Sequence, residues 1–69
     1  MTTGTVKSCQ SKPTRGFVVH TLIPPPDGTD VPFADVDADD YATALAAYAK
    51  GGTVDVSGTS PACTGVVAR

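Results

Sequence analysis

The sequence lacks the features that mark membrane, secreted and zinc-binding proteins. It has no run of about 18 apolar residues that could span a membrane. Its N-terminus, MTTGTVKSCQ, has neither the basic nor the apolar segment of a secretory signal peptide. The only cysteines, Cys9 and Cys63, are too few and too far apart for a zinc site. We therefore expect a cytoplasmic protein with no membrane span, no metal and no cofactor. The cysteines should be free, mostly buried thiols, with a lone disulfide as the alternative.

The chain is long enough for one small domain, residues 1–69. Its content of 41% hydrophobic and 17% charged residues is typical of a folded protein rather than a disordered one. Lys7, Lys12 and Arg15 are the only charged residues among the first 23, whereas six aspartates crowd positions 27–40. This segregation predicts either a polarised surface that attracts anions to one side or charges that are merely solvated at strand edges and turns.

The first half of the chain has the pattern of β-strands. Residues 4–9, GTVKSC, alternate as a short strand does, and FVVHTLI at 17–23 is dense in β-branched and aromatic types. The turn residues between them predict a hairpin. Three prolines at 24–26 should end the second strand near residue 23 and open a loop. A third strand is expected within DVPFADV, where Pro32 confines it to an edge or a bulge.

The segment DADDYATALAAYAKGG changes to a helical period. Asp37 is a good N-cap, and Lys50 followed by Gly51 is a typical helix end. One narrow stripe should face the core: Tyr41, Leu45 and Tyr48, with Ala44 beside them. Beyond the helix, GTVDVSG and ACTGVVA predict a fourth and a fifth strand.

Five strands with one helix between the third and the fourth is the order of the OB-fold. The segments TGTVKS at 3–8, RGFVV at 15–19 and DVPF at 30–33 make the sequence resemble one family within that class, the cold-shock domain. TGTVKS at 3–8 looks like that family's opening strand, RGFVV at 15–19 is similar to its first ribonucleoprotein motif, and DVPF at 30–33 to its second. GGTVDV and PACTGVVA stand where the family has its fourth and closing strands. The resemblance implies a mainly β fold, a small five-stranded OB-like barrel with one α-helix between strands 3 and 4.

The motifs depart from the family at its aromatic positions. Ser8 stands where the family has tryptophan, Val19 replaces the second aromatic, and Pro32 with Ala34 interrupts the second motif. Phe17 keeps an aromatic ring at the first aromatic position of the family's first ribonucleoprotein motif. Most of the base-stacking platforms of the family are therefore missing from this chain.

The resemblance implies a protein that binds single-stranded DNA or RNA weakly through its first two or three strands. Six residues are the candidates for that contact: Lys7, Lys12, Arg15, Phe17, His20 and Phe33. Phe17 is equally compatible with a place in the core, and His20 with a plain strand position. No serine or cysteine has a partner base in view, and DADD lacks the glycine and distal glutamate of a calcium loop. Because the sequence shows no catalytic constellation, we expect no enzymatic activity.

The alternative function is a protein-interaction module of the same fold, such as a small regulatory or phage accessory factor, that has lost the aromatic nucleic-acid face. The helix surface formed by Ala42, Ala46, Ala47 and Ala49 carries no charge. Such a surface would suit a protein partner or a homodimer.

Overall fold

Five strands and one helix follow one another in the order that the sequence predicts. A computed structural model describes residues 2–21 and 28–69. The elements are β1 (Thr2–Gln10), β2 (Gly16–Thr21), β3 (Asp30–Phe33), α1 (Ala38–Lys50), β4 (Thr53–Ser57) and β5 (Gly65–Ala68). The fold is therefore mainly β with a helix between the third and fourth strands. The predicted proline loop at 24–26 and the predicted strand end at 23 lie outside the described residues.

All strand pairs are antiparallel and form one sheet with the order β3-β2-β1-β4-β5. The long strand β1 lies in the centre and pairs with both β2 and β4, which confirms the predicted hairpin. A bulge between Val6 and Ser8 makes Lys7 an extra residue on β1. At Gly4 a Cβ would collide with the carbonyl oxygen of His20, so only glycine allows the two backbones to approach this closely.

Within the described ranges, the edge strand β3 and the residue after it approach the segment 60–62 that precedes the other edge strand, β5. An isolated parallel bridge joins Ala34, just after β3, to Ala62, just before β5. The Ala34 N–H donates to the Pro61 carbonyl over 2.9 Å, and the Ser60 hydroxyl donates to the Pro32 carbonyl over 2.6 Å. Pro32 therefore lies on an edge strand, as predicted. The described strands form an open sheet, and a closed barrel stays a prediction.

The core lies between one face of the sheet and the helix, because alternate strand residues point to the same side. The buried side chains are aliphatic or aromatic, with no buried polar side chain among the described residues. They are Val6, Phe17, Val19, Phe33, Val36, Ala44, Ala47, Val54, Val56 and Val66.

The helix begins and ends where the sequence predicts. Asp37 is the N-cap residue, although its carboxylate makes no capping hydrogen bond. Asp39 and Asp40 in the first turn and Lys50 in the last complement the helix dipole. Gly51 ends the helix in the left-handed conformation, with φ 69°. No helix in the described part of the chain has the length and apolarity needed to cross a membrane.

The rotation of α1 about its axis differs from the prediction. Ala44 and Ala47 face the core and Tyr41 is half-buried against it, whereas Leu45 is 44% exposed and Tyr48 is 47% exposed. The predicted stripe is therefore wrong for Leu45 and Tyr48. Phe17 and Phe33 already occupy the interior, so the helix packs through alanines, whose small side chains allow the backbone to lie close to the sheet.

Candidate functional site

The outer face of β1, β2 and β3 is fixed by the strand register. Thr5, His20 and Asp30 pair across the three strands in a single row. The next row on this face is Ser8, Val18 and Pro32. Successive residues of a strand point to opposite sides, so the intervening Val19 lies in the core, where it is fully buried. The outer face is consequently polar in its first row and carries no aromatic ring apart from the imidazole of His20.

A carboxylate joins two of the predicted contact residues. Lys7 Nζ lies 2.6 Å from Asp30 Oδ2, and His20 Nδ1 lies 2.8 Å from Asp30 Oδ1. Lys7, the extra residue at the bulge of β1, reaches Asp30 on β3 across the neighbouring strand β2. The hydrogen bond from Lys7, followed by that with His20, lowers the pKa of Asp30. Asp30 thus remains ionised and compensates the positive charge of Lys7 on this face.

The other two predicted cations, Lys12 and Arg15, lie exposed in the loop of residues 11–15 between β1 and β2. The Arg15 carbonyl accepts the N–H of Val36 over 3.0 Å, which holds the end of this loop against the segment before α1. Arg15 also lines an open surface cleft of about 560 Å³ together with Asp35 and Asp37. The cleft therefore combines one guanidinium with two carboxylates, so it has no excess of positive charge to attract a polyanion.

Both phenylalanines that the sequence suggests for base stacking lie in the core. Phe17 is 1% exposed and Phe33 is 2% exposed. They form a cross-strand pair between β2 and β3, and their ring centroids are 5.3 Å apart. The assignment of Phe17 and Phe33 to a stacking surface is therefore wrong. Each occupies an inward position of its strand, and a ring in the core makes contacts that a solvated ring would lose.

The structure divides the remaining candidates between two separate places on the β1–β2 hairpin, because His20 lies at the end of β2 away from the 11–15 loop. Lys7 and His20 share Asp30, whereas Lys12 and Arg15 belong to the adjoining loop. Together they could contact phosphates, but they offer no planar surface for a base other than that of His20. A role for these four residues in binding nucleic acid stays a prediction.

The outer face of α1 is the most apolar exposed surface of the helix. Of the four alanines predicted for it, Ala42, Ala46 and Ala49 are exposed, whereas Ala47 is buried in the core. Among the described residues, the large hydrophobic side chains that remain exposed are Leu45, Tyr48 and Val67. Two of these three belong to α1, so most of the large apolar side chains that are exposed in the described residues lie on the helix.

Cys9 and Cys63 are free thiols that are half-buried against the core. Burial raises the pKa of both thiols, so each stays protonated and weakly reactive near neutral pH. Within residues 2–21 and 28–69 no group of three or more histidine, cysteine or acidic side chains is arranged to hold a metal ion.

Sequence reasoning missed Asp30 and the exposure of Leu45 as features of the candidate surfaces. Asp30 stands opposite His20 in the register, but the register between β2 and β3 is a long-range pairing that the sequence alone does not fix. The alanines at positions 44 and 47 could have indicated which side of the helix faces the core, because small residues allow close packing.

Comparison with known proteins found no relative whose surfaces could be compared with these. No family model matches the chain, and no curated protein and no solved structure matches it at a significant level.

Proposed function

We propose that this chain is a non-enzymatic protein-interaction module with an OB-like fold, and that it contacts its partner through the outer face of α1. The order β3-β2-β1-β4-β5, with a helix after the third strand, supports this architecture. A barrel requires the two edge strands to approach each other, and the bridge between Ala34 and Ala62 is such an approach. The free thiols of Cys9 and Cys63 suit a reducing compartment, so the cytoplasm is the location that we propose.

The observation that carries this proposal is the burial of Phe17 and Phe33. Aromatic platforms contribute about 1–3 kcal/mol per stacked base to the binding of single strands, so a face without them loses most of that affinity. The carboxylate of Asp30 also compensates Lys7 in the middle of the same face. The nucleic-acid function implied by the family resemblance therefore has little physical support on this surface, whereas the interaction function needs neither ring.

The helix face that we propose for the contact is apolar and carries no charge. Apolar side chains that are exposed in the isolated chain gain free energy when a partner removes them from water, at roughly 25 cal/mol per Å² of apolar area. Leu45 is the large side chain on this face, and the alanines around it leave room for a partner's side chains. Alanines also lose no side-chain entropy on binding.

A photo-crosslinking amino acid tests the proposal in cells. Placed at Ala42, on the outer face of α1, it should yield a specific protein adduct, and Leu45→Glu should abolish that adduct. The same amino acid at Ser57, an exposed position at the end of β4, is the matched control and should yield none. Equal adducts at both positions, or none at either, would contradict the proposal.

Weak binding of single-stranded nucleic acid is a second candidate, because Lys12 and Arg15 are both exposed on one short loop. If two phosphates are contacted, log Kd should change with log salt concentration with a slope of about 1.4 for a single strand. Chemical shifts in a titration with an oligothymidine at low salt should then be confined to residues 11–15 and be removed by Arg15→Ala. A spectrum without shifts would exclude this candidate.

A further inference from the structure

The outer face of α1 has a spacing that reads the same in both directions. Ala38, Ala42, Leu45 and Ala49 are all exposed, and they follow one another at intervals of four, three and four residues. On a helix these intervals place the four side chains in one line along the axis. No charged residue interrupts the line, and it lies roughly opposite the buried residues Ala44 and Ala47.

A face with this symmetry fits a second copy of itself in the antiparallel orientation. A two-fold axis perpendicular to the helices and level with the middle of the line would place Ala42 against the partner's Leu45 and Ala38 against the partner's Ala49. Each leucine then meets an alanine, so large and small side chains alternate across the contact. Two leucines at the same level would instead hold the helices apart.

The charges beside this line select the antiparallel orientation. Asp39 in the first turn and Lys50 in the last turn are both exposed, and both lie on the same side of the line. In the antiparallel pair, Asp39 of one copy and Lys50 of the other lie about two residues, or about 3 Å, apart along the helix axis. A parallel two-fold pair would instead place these charges of the two copies on opposite sides of the contact, where Asp39 and Lys50 could not pair. The helix dipoles also favour the antiparallel arrangement.

The tyrosines occupy the other side of the line. Tyr41 is half-buried and Tyr48 is 47% exposed, and the same two-fold axis brings Tyr41 of one copy to within about two residues of Tyr48 of the other along the axis. Pairing these rings across the contact would cover the exposed part of Tyr48, which the isolated chain leaves in water.

We propose that the partner of this helix face is a second copy of the same chain, bound through antiparallel packing of α1 against α1. This inference rests on the proposed interaction function and names its partner. The contact is a single helix pair, and we expect it to be a small, transient interface with a dissociation constant on the order of 10–100 µM.

Analytical ultracentrifugation of the purified chain over a concentration series should show a monomer converting to a dimer. Leu45→Glu should abolish the dimer, whereas Thr59→Glu, in an exposed loop after β4, is the control for added charge and should leave the dimer unchanged. A single monomeric species up to about 1 mM would overturn the inference, because the contact would then be weaker than even small transient interfaces. A dimer that persists in Leu45→Glu would place the contact elsewhere and overturn it as well.

A charge exchange tests the orientation without disturbing the apolar contact. Asp39→Lys alone and Lys50→Glu alone each turn two attractive pairs into two repulsive ones and should weaken the homodimer about tenfold. An equimolar mixture of the two variants should form a heterodimer about as tight as the original dimer, because both pairs are again attractive. Weakening in the single variants without recovery in the mixture would overturn the antiparallel geometry. A monomer that still gives a specific heterologous adduct at Ala42 would refute the dimer but leave the proposed function intact.

Discussion

Truncating Phe17 to alanine should remove most of the stability of this protein. The ring is 1% exposed and lies against Phe33 with a centroid separation of 5.3 Å. Phe→Ala in a core costs about 3–5 kcal/mol, through lost burial and the cavity that remains. A chain of this length has a free energy of unfolding of roughly 3–10 kcal/mol, so the variant should be marginally folded or unfolded at 25 °C.

Urea denaturation followed by circular dichroism measures this loss, and a milder variant keeps the test informative if Phe17→Ala does not fold. Phe17→Leu keeps most of the apolar volume and should cost about 1 kcal/mol, which lowers the melting temperature by about 4–8 °C. Val67→Ala is the control, since Val67 is 64% exposed and its truncation should stay within about 0.5 kcal/mol of the wild type.

A Phe17→Ala variant that unfolds at the same urea concentration as the wild type would refute the reasoning. An exposed ring costs little to remove, so such a result would mean that Phe17 points outward and is free to stack on a base. The central argument against a nucleic-acid face would then be wrong. The stability measurement therefore tests the function as well as the fold.

Two further predictions follow from the sheet. The pKa of Asp30 is lowered in the folded state, so its stabilising contacts are present above its ordinary pKa of about 3.9 and are lost as the pH falls through the lower folded value. Asp30→Asn should accordingly lower the melting temperature at pH 7, and the difference from the wild type should narrow towards about pH 2; a constant difference would contradict the pKa assignment. Gly4→Ala should destabilise the fold by about 1–3 kcal/mol in chemical denaturation, because its Cβ would collide with the backbone of β2. Gly65→Ala is the matched control, since no atom lies within 4 Å of its Cβ position, and equal losses in the two variants would contradict the close approach at Gly4.

The strands could be predicted from the sequence because their signals are local. The alternation of Val54 and Val56 with polar residues requires a half-buried strand, and Pro32 restricts its own strand to an edge. The signals for the helix ends are equally local, since Asp37 and Gly51 mark the two ends directly. These features depend on a few neighbouring residues and need no knowledge of the rest of the fold.

The direction in which each side chain points could not be predicted in the same way. Phe17 follows a glycine at the start of β2, and a strand with both faces rich in apolar residues gives no clear phase. Asp30 joins Lys7 and His20 only because the register places three strands side by side. Such contacts arise from long-range pairing, which a single sequence does not specify.

The helix offers the sharpest test of this distinction, because sequence and structure predict opposite results at adjacent positions. If the stripe expected from the sequence faced the core, Leu45→Ala would cost about 2–5 kcal/mol. With Leu45 44% exposed, the loss should instead stay below about 1 kcal/mol in the monomer. Ala44 has no exposed surface, so Ala44→Leu should force the helix away from the sheet at a cost of about 1–3 kcal/mol. Urea denaturation measures the free energy of unfolding of both variants, at protein concentrations well below the dimer dissociation constant. A larger loss of that free energy for Leu45→Ala than for Ala44→Leu would show that the helix is rotated towards its larger side chains.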